Sequence, residues 1–106
     1  MNTSPRYKRA ITRDTIAILV ALSAGAQTGA EIQSRVIGDT SGVYLQASTL
    51  YDALHRLTAR GLVDLRGKYF SLTDAGWQAL EVESRTLESL VKTAKQRLIA
   101  SGHGHW

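Results

Sequence analysis

The segment from Leu45 to Gly76 constrains the fold most, because its apolar spacing changes period twice within a short span. Leu50, Ala53, Leu54 and Leu57 recur at helical spacing and form one apolar stripe. Ser48 stands where a side-chain oxygen can cap the first turn, and Gly61 stands where a left-handed residue can end the helix. Opposite the stripe lie Ser48, Asp52, His55 and Ala59, flanked by Thr49, Tyr51 and Arg56.

After Gly61 the period becomes that of a strand. With Gly67 and Lys68 as a two-residue turn, Arg66 opposes Tyr69, Leu65 opposes Phe70, Asp64 opposes Ser71 and Val63 opposes Leu72. The two apolar pairs then share one face and the two polar pairs share the other, so the ribbon covers a core on one side only. Thr73 caps the next helix, with Asp74 at its positive end. Helix, two-stranded ribbon and helix in this order make the reading end of a winged helix.

Upstream, Thr15 to Ser23 is apolar nearly all round, as suits a buried first helix. Thr28 and Glu31 have capping-box spacing, and Ile32 with Val36 predicts a second helix that ends before Gly38. A loop follows from Gly38 to Gln46, with Val43 and Leu45 as candidate anchors. Downstream, Thr73, Trp77, Leu80, Ser84, Leu87, Val91, Ala94 and Leu98 alternate steps of four and three. Trp77 and Leu80 are expected to pack on their own domain. Leu87, Val91, Ala94 and Leu98 would face water unless a second subunit covers them, so dimerisation is the expected remedy, the alternative being a helix folded back on its own core. Glu81 with Arg85 and Glu88 with Lys92 are supportive i, i+4 pairs.

Charge is informative by position. The chain of 106 residues carries a net charge of +4, and its pI is about 9.8. Arg6, Lys8, Arg9 and Arg13 precede the first acid, and Arg56, Arg60, Arg66 and Lys68 outnumber Asp52 and Asp64. This distribution is a footprint for polyanions. There is no cysteine, which excludes disulfides, thiolate metal sites and a cysteine nucleophile. The apolar run Ile16 to Leu22 is far shorter than the roughly 20 residues that span a bilayer, and no cleavable signal is evident, so a cytoplasmic protein is expected. No catalytic constellation or phosphate loop is present, so no enzyme activity, cofactor or metal is expected. His103 and His105 are read as part of a flexible tail.

Ser48, Thr49, Leu50, Tyr51, Ala53, Leu54, Arg56, Leu57, Gly61, Leu62 and Val63, followed by Tyr69, Leu72, Thr73, Ala75 and Gly76, resemble the pattern of the PadR-like winged-helix transcriptional regulators. The resemblance extends from about Thr15 into the last helix. It implies a mainly α fold with a small β-hairpin, a winged helix-turn-helix plus a long C-terminal dimerisation helix. The expected organisation is a basic arm over residues 1–13, a DNA-binding domain over 14–76, a dimerisation helix over 73–100 and a flexible tail over 101–106. The implied function is sequence-specific binding of double-stranded DNA by a homodimer, as a repressor on an inverted repeat.

Within that reading Arg56 is expected to read guanine or clamp a phosphate, His55 and Thr49 to meet base edges, and Ser48 and Tyr51 to meet phosphate oxygens. Asp52 can accept from cytosine N4 but would repel a phosphate. Arg66 and Lys68 on the wing, with Arg6, Lys8, Arg9 and Arg13 in the arm, would hold the backbone. Two other functions stay open. Asp52 and the short wing suit a protein-interaction module, while Tyr44, Tyr69, Phe70 and Trp77 near a subunit interface suit a small-molecule sensor pocket that tunes DNA affinity.

Overall fold

A computed structural model describes residues 12–40, 42 and 44–103. The Thr12 hydroxyl accepts from the backbone N–H of Thr15 at 3.2 Å, so the first helix, α1 (Arg13–Leu22), starts ahead of its apolar pattern. Arg13 is therefore helical rather than the end of an arm. Arg6, Lys8 and Arg9 lie outside the described residues.

The capping box of α2 (Gly29–Asp39) forms in both directions: Thr28 N–H donates to Glu31 Oε1 at 2.8 Å, and Glu31 N–H donates to Thr28 Oγ1 at 3.3 Å. The helix continues through Gly38 instead of ending before it. A glycine inside a helix costs only about 1 kcal/mol against alanine, and the stop comes later, where the Gly42 N–H, at φ 106°, donates to the Ile37 carbonyl at 2.8 Å.

The third helix, α3 (Ala47–Ala59), begins at Gln46 and not at Ser48. Leu45 is buried and its carbonyl accepts from Gln33 Nε2 at 2.6 Å, so the chain is pinned there and turns helical at once. Ser48 falls inside the first turn, and Gln46 makes no side-chain cap. The other end follows expectation. Gly61 takes φ 78°, its N–H bonds the Thr58 carbonyl, and the Leu62 N–H reaches back to the Leu57 carbonyl, both at 3.0 Å.

Strands β1 (Val63–Arg66) and β2 (Tyr69–Leu72) pair in the expected register, with Gly67 at φ 62° in the turn. Val63 and Phe70 are buried on the apolar face, but Leu65, nearest the turn, stays 40% exposed because the tip projects past the helices. A single bridge residue, Gln27, pairs with the outer edge of β2. Leu65 and Phe70 form a non-hydrogen-bonded pair, which turns the Phe70 N–H and C=O outward. Gln27 meets both, at 2.7 and 2.9 Å.

The core joins Ile18, Leu19 and Leu22 of α1 with Ile32 and Val36 of α2 and Leu50, Leu54 and Leu57 of α3, closed by Val63 and Phe70. Each fully buried large aliphatic contributes about 1.5 to 3 kcal/mol. The last helix, α4 (Asp74–Ala100), leaves this core at a close crossing. A Cβ on Gly76 would run into the Leu62 carbonyl, so only glycine lets the first turn of α4 lie on the α3–β1 joint. Thr73 fixes the same crossing: its hydroxyl accepts from Gly76 N–H at 3.1 Å and donates to the Gly61 carbonyl at 2.6 Å. Thr73→Ala is expected to lower stability by about 1 kcal/mol, measured as a lower urea midpoint with an unchanged slope.

Leu80 packs against the core, whereas Trp77, expected to join it, is half-exposed. The 27 residues of α4 extend about 40 Å. The radius of gyration of 15.7 Å exceeds the roughly 13 Å of a compact chain of this length, as a helix projecting beyond its domain requires.

Candidate nucleic-acid interface

Burial of Leu50, Ala53, Leu54 and Leu57 fixes the rotation of α3 and leaves Ser48, Thr49, Tyr51, Asp52, His55 and Arg56 on its exposed side. These six expected site residues therefore share one helix surface. Their surroundings differ. Tyr51 is wedged beside Gly29 at the start of α2, where a Cβ would collide with its hydroxyl, and its ring meets Phe70 edge-on at 6.2 Å. The centre of the His55 ring lies 6.4 Å from that of Tyr51. Tyr51 thus braces α3 against α2 and the wing while its half-exposed edge remains available to a phosphate.

Neither the Asp52 nor the Arg56 side chain makes a hydrogen bond or ion pair among the described residues, although they stand one helical turn apart. On the wing, Arg66 Nε donates to Asp64 Oδ2 at 3.0 Å, and both groups are well exposed. Lys68 Nζ sits 5.9 Å from the centre of the Tyr69 ring, which holds the cation near the turn. The wing therefore carries its two cations at the tip, oriented by neighbours on the ribbon itself.

Gln27 was not anticipated. Only 6% exposed, it bridges to β2 through its backbone, donates from Nε2 to the carbonyls of Ala21 at 2.8 Å and Gly25 at 2.9 Å, and accepts from Arg35 Nε at 3.1 Å. One residue thereby ties α1 and α2 through its side chain and the wing through its backbone. The signal that would have revealed it is the outward-facing backbone of Phe70, which needs a partner strand.

A second surface lies between α1 and α4, where Ile16, Val20, Leu87 and Val91 form the apolar part of a groove rimmed by Glu88, Lys92 and Lys95. Ala94 and Leu98 continue the exposed side of α4 toward its end. Of the two expected ion pairs on this helix, Glu81 and Arg85 approach to 3.9 Å, while Glu88 and Lys92 do not pair. The aromatic residues weighed as a sensor pocket do not converge. Phe70 is in the core, Tyr44, Tyr69 and Trp77 are exposed, and no ring contact joins any two of the four. No metal-ligating cluster occurs among the described residues.

Residues 18–82 match the transcriptional regulator PadR-like family, a span running from the middle of α1 to the first third of α4. The chain belongs to that family. It is accordingly a DNA-binding transcriptional regulator and not an enzyme. A transcriptional regulator from Clostridium thermocellum shares the fold at 21% identity and a TM-score of 0.70, with 91% of this chain and 97% of that one covered. A PadR family transcription regulator from Clostridium difficile is 26% identical, with a TM-score of 0.65 over 78% of this PadR-like chain and 97% of that one. Bacillus subtilis PadR is 33% identical with a TM-score of 0.54, over 62% of this chain but only 38% of that longer protein. Comparison with curated proteins gives no match. No helix among the described residues is long and apolar enough to cross a membrane.

Proposed function

We propose that this PadR-like chain acts in the cytoplasm as a repressor, binding an inverted-repeat operator as a homodimer. One observation carries the reading. The exposed side of α3 is polar from Ser48 to Arg56 and stands beside a wing whose tip holds Arg66 and Lys68. A helix of that kind fits the major groove, with wing cations on the flanking backbone. His55 and Thr49 are assigned to base edges, Arg56 to guanine or a phosphate, and Ser48 and Tyr51 to phosphate oxygens. Arg13, at the start of α1, joins Arg6, Lys8 and Arg9 as backbone contacts.

Homodimerisation is supported by the α1–α4 groove. Leu87 is 42% and Val91 51% exposed, and an exposed apolar patch rimmed by polar residues is the mark of an interaction surface. Ala94 and Leu98 extend the same interface. Two-fold pairing predicts half-site centres about one helical turn, roughly 34 Å, apart. Repression then needs only occupancy, since a dimer seated on a promoter excludes polymerase.

Selection of bound duplexes from a random pool at moderate salt tests the reading. Enrichment of a palindrome with that spacing is the expected result. Enrichment of a single unrepeated site would remove the dimer, and enrichment of nothing would remove sequence-specific binding. Lower transcription from a promoter containing the selected palindrome would support repression, and a rise would make the protein an activator.

A further inference from the structure

Asp52 occupies an unusual place for an acid. It lies on the mid-line of the exposed face of α3, between Ser48 and His55, while Thr49 and Arg56 fall to one flank and Tyr51 to the other. A helix about 10 to 12 Å across fills a major groove about 12 Å wide, so the middle of its exposed mid-line lies farthest from both phosphate walls and nearest the base edges, while its first turn and its flanks can reach either. A carboxylate there avoids the phosphates and faces the floor of the groove. It also arrives unneutralised, because Arg56, one turn away, makes no ion pair with it.

An ionised carboxylate only accepts hydrogen bonds. The floor offers it two donors, cytosine N4 and adenine N6, and adenine sets the N7 acceptor beside its amino group where cytosine has none. Guanine and thymine present acceptors, which repel the carboxylate. We propose that Asp52 selects cytosine at one position of each half-site, accepting from N4 and excluding guanine and thymine. This inference rests on α3 entering the major groove.

The test is random-pool selection with the wild-type protein and with Asp52→Asn and Asp52→Ala at one salt concentration, read as base frequencies at each position. Asp52 is exposed and its side chain makes no hydrogen bond or ion pair that either substitution would break, so circular dichroism should be the same for all three. The wild-type motif is expected to contain a cytosine favoured roughly tenfold or more over guanine and thymine. That position should move to adenine for Asp52→Asn, whose amide matches adenine N6 and N7, and lose its preference for Asp52→Ala, with the other positions unchanged. Identical motifs, with both variants binding every duplex more tightly by one common factor, would overturn the proposal and leave Asp52 as a repelling charge only. A wild-type protein that enriches no motif would overturn the groove-binding reading itself, and the role of Asp52 with it.

Discussion

Replacing both Leu87 and Val91 by Glu is expected to yield a folded monomer whose affinity for the full operator falls by about two orders of magnitude or more. The two side chains are already about half exposed, so the core around Leu54 and Phe70 is untouched, and glutamate is a good helix former. The cost falls on association. In the proposed dimer two carboxylates would be placed against Ile16, Val20 and their own counterparts, where burial without partners is expensive. Once one half-site is occupied, a dimer binds the second as an intramolecular event, an advantage of roughly 10² to 10⁴ that a monomer forfeits. Sedimentation velocity should report half the wild-type mass, and gel shifts should show weak operator binding with half-site affinity retained. A dimer that survives the double substitution would move the interface elsewhere.

How much of this was legible beforehand depended on whether a residue's role is local. The wing register follows from a two-residue turn and an alternating pattern, so Val63 to Leu72 was readable residue by residue. The caps at Thr28 and Thr73 are equally local, each being a side chain three residues from the N–H it serves. Ser48 misled because a capping oxygen is only an opportunity. The true start of α3 is set by Leu45, whose burial and bond to Gln33 come from an element twelve residues away. Gln27 escaped notice for the same reason, since its partners lie on α1, α2 and β2 at once.

The site divides along the same line. That Asp52, His55 and Arg56 share a solvent-facing surface follows from helical periodicity, which the buried stripe alone determines. That Tyr51 is a brace as well as a candidate contact needed the approach of Gly29 and Phe70, which no spacing in the sequence encodes. The aromatic residues show the converse. Composition supplied Tyr44, Tyr69, Phe70 and Trp77, but alternation along β2 sends Phe70 inward and Tyr69 outward, so the four do not meet within one chain.

Arg56→Ala is expected to reduce operator affinity by about 1 to 3 kcal/mol while changing stability by only a few tenths, since the guanidinium is exposed and its one structural role is a favourable position in the last turn of α3. The pattern of the loss identifies the contact. If Arg56 reads guanine through O6 and N7, discrimination vanishes at one position of the half-site and the dependence on salt is nearly unaltered. If it clamps a phosphate, all duplexes weaken alike and the slope of log affinity against log salt becomes shallower by about one per subunit contact. Its place on the flank, one turn beyond Asp52, lets it reach either wall or floor, so the two measurements must be made on the same variant. An Arg56→Ala protein with wild-type affinity, motif and salt slope would take α3 out of the groove in this orientation, and the proposed contacts of Thr49 and His55 would fall with it.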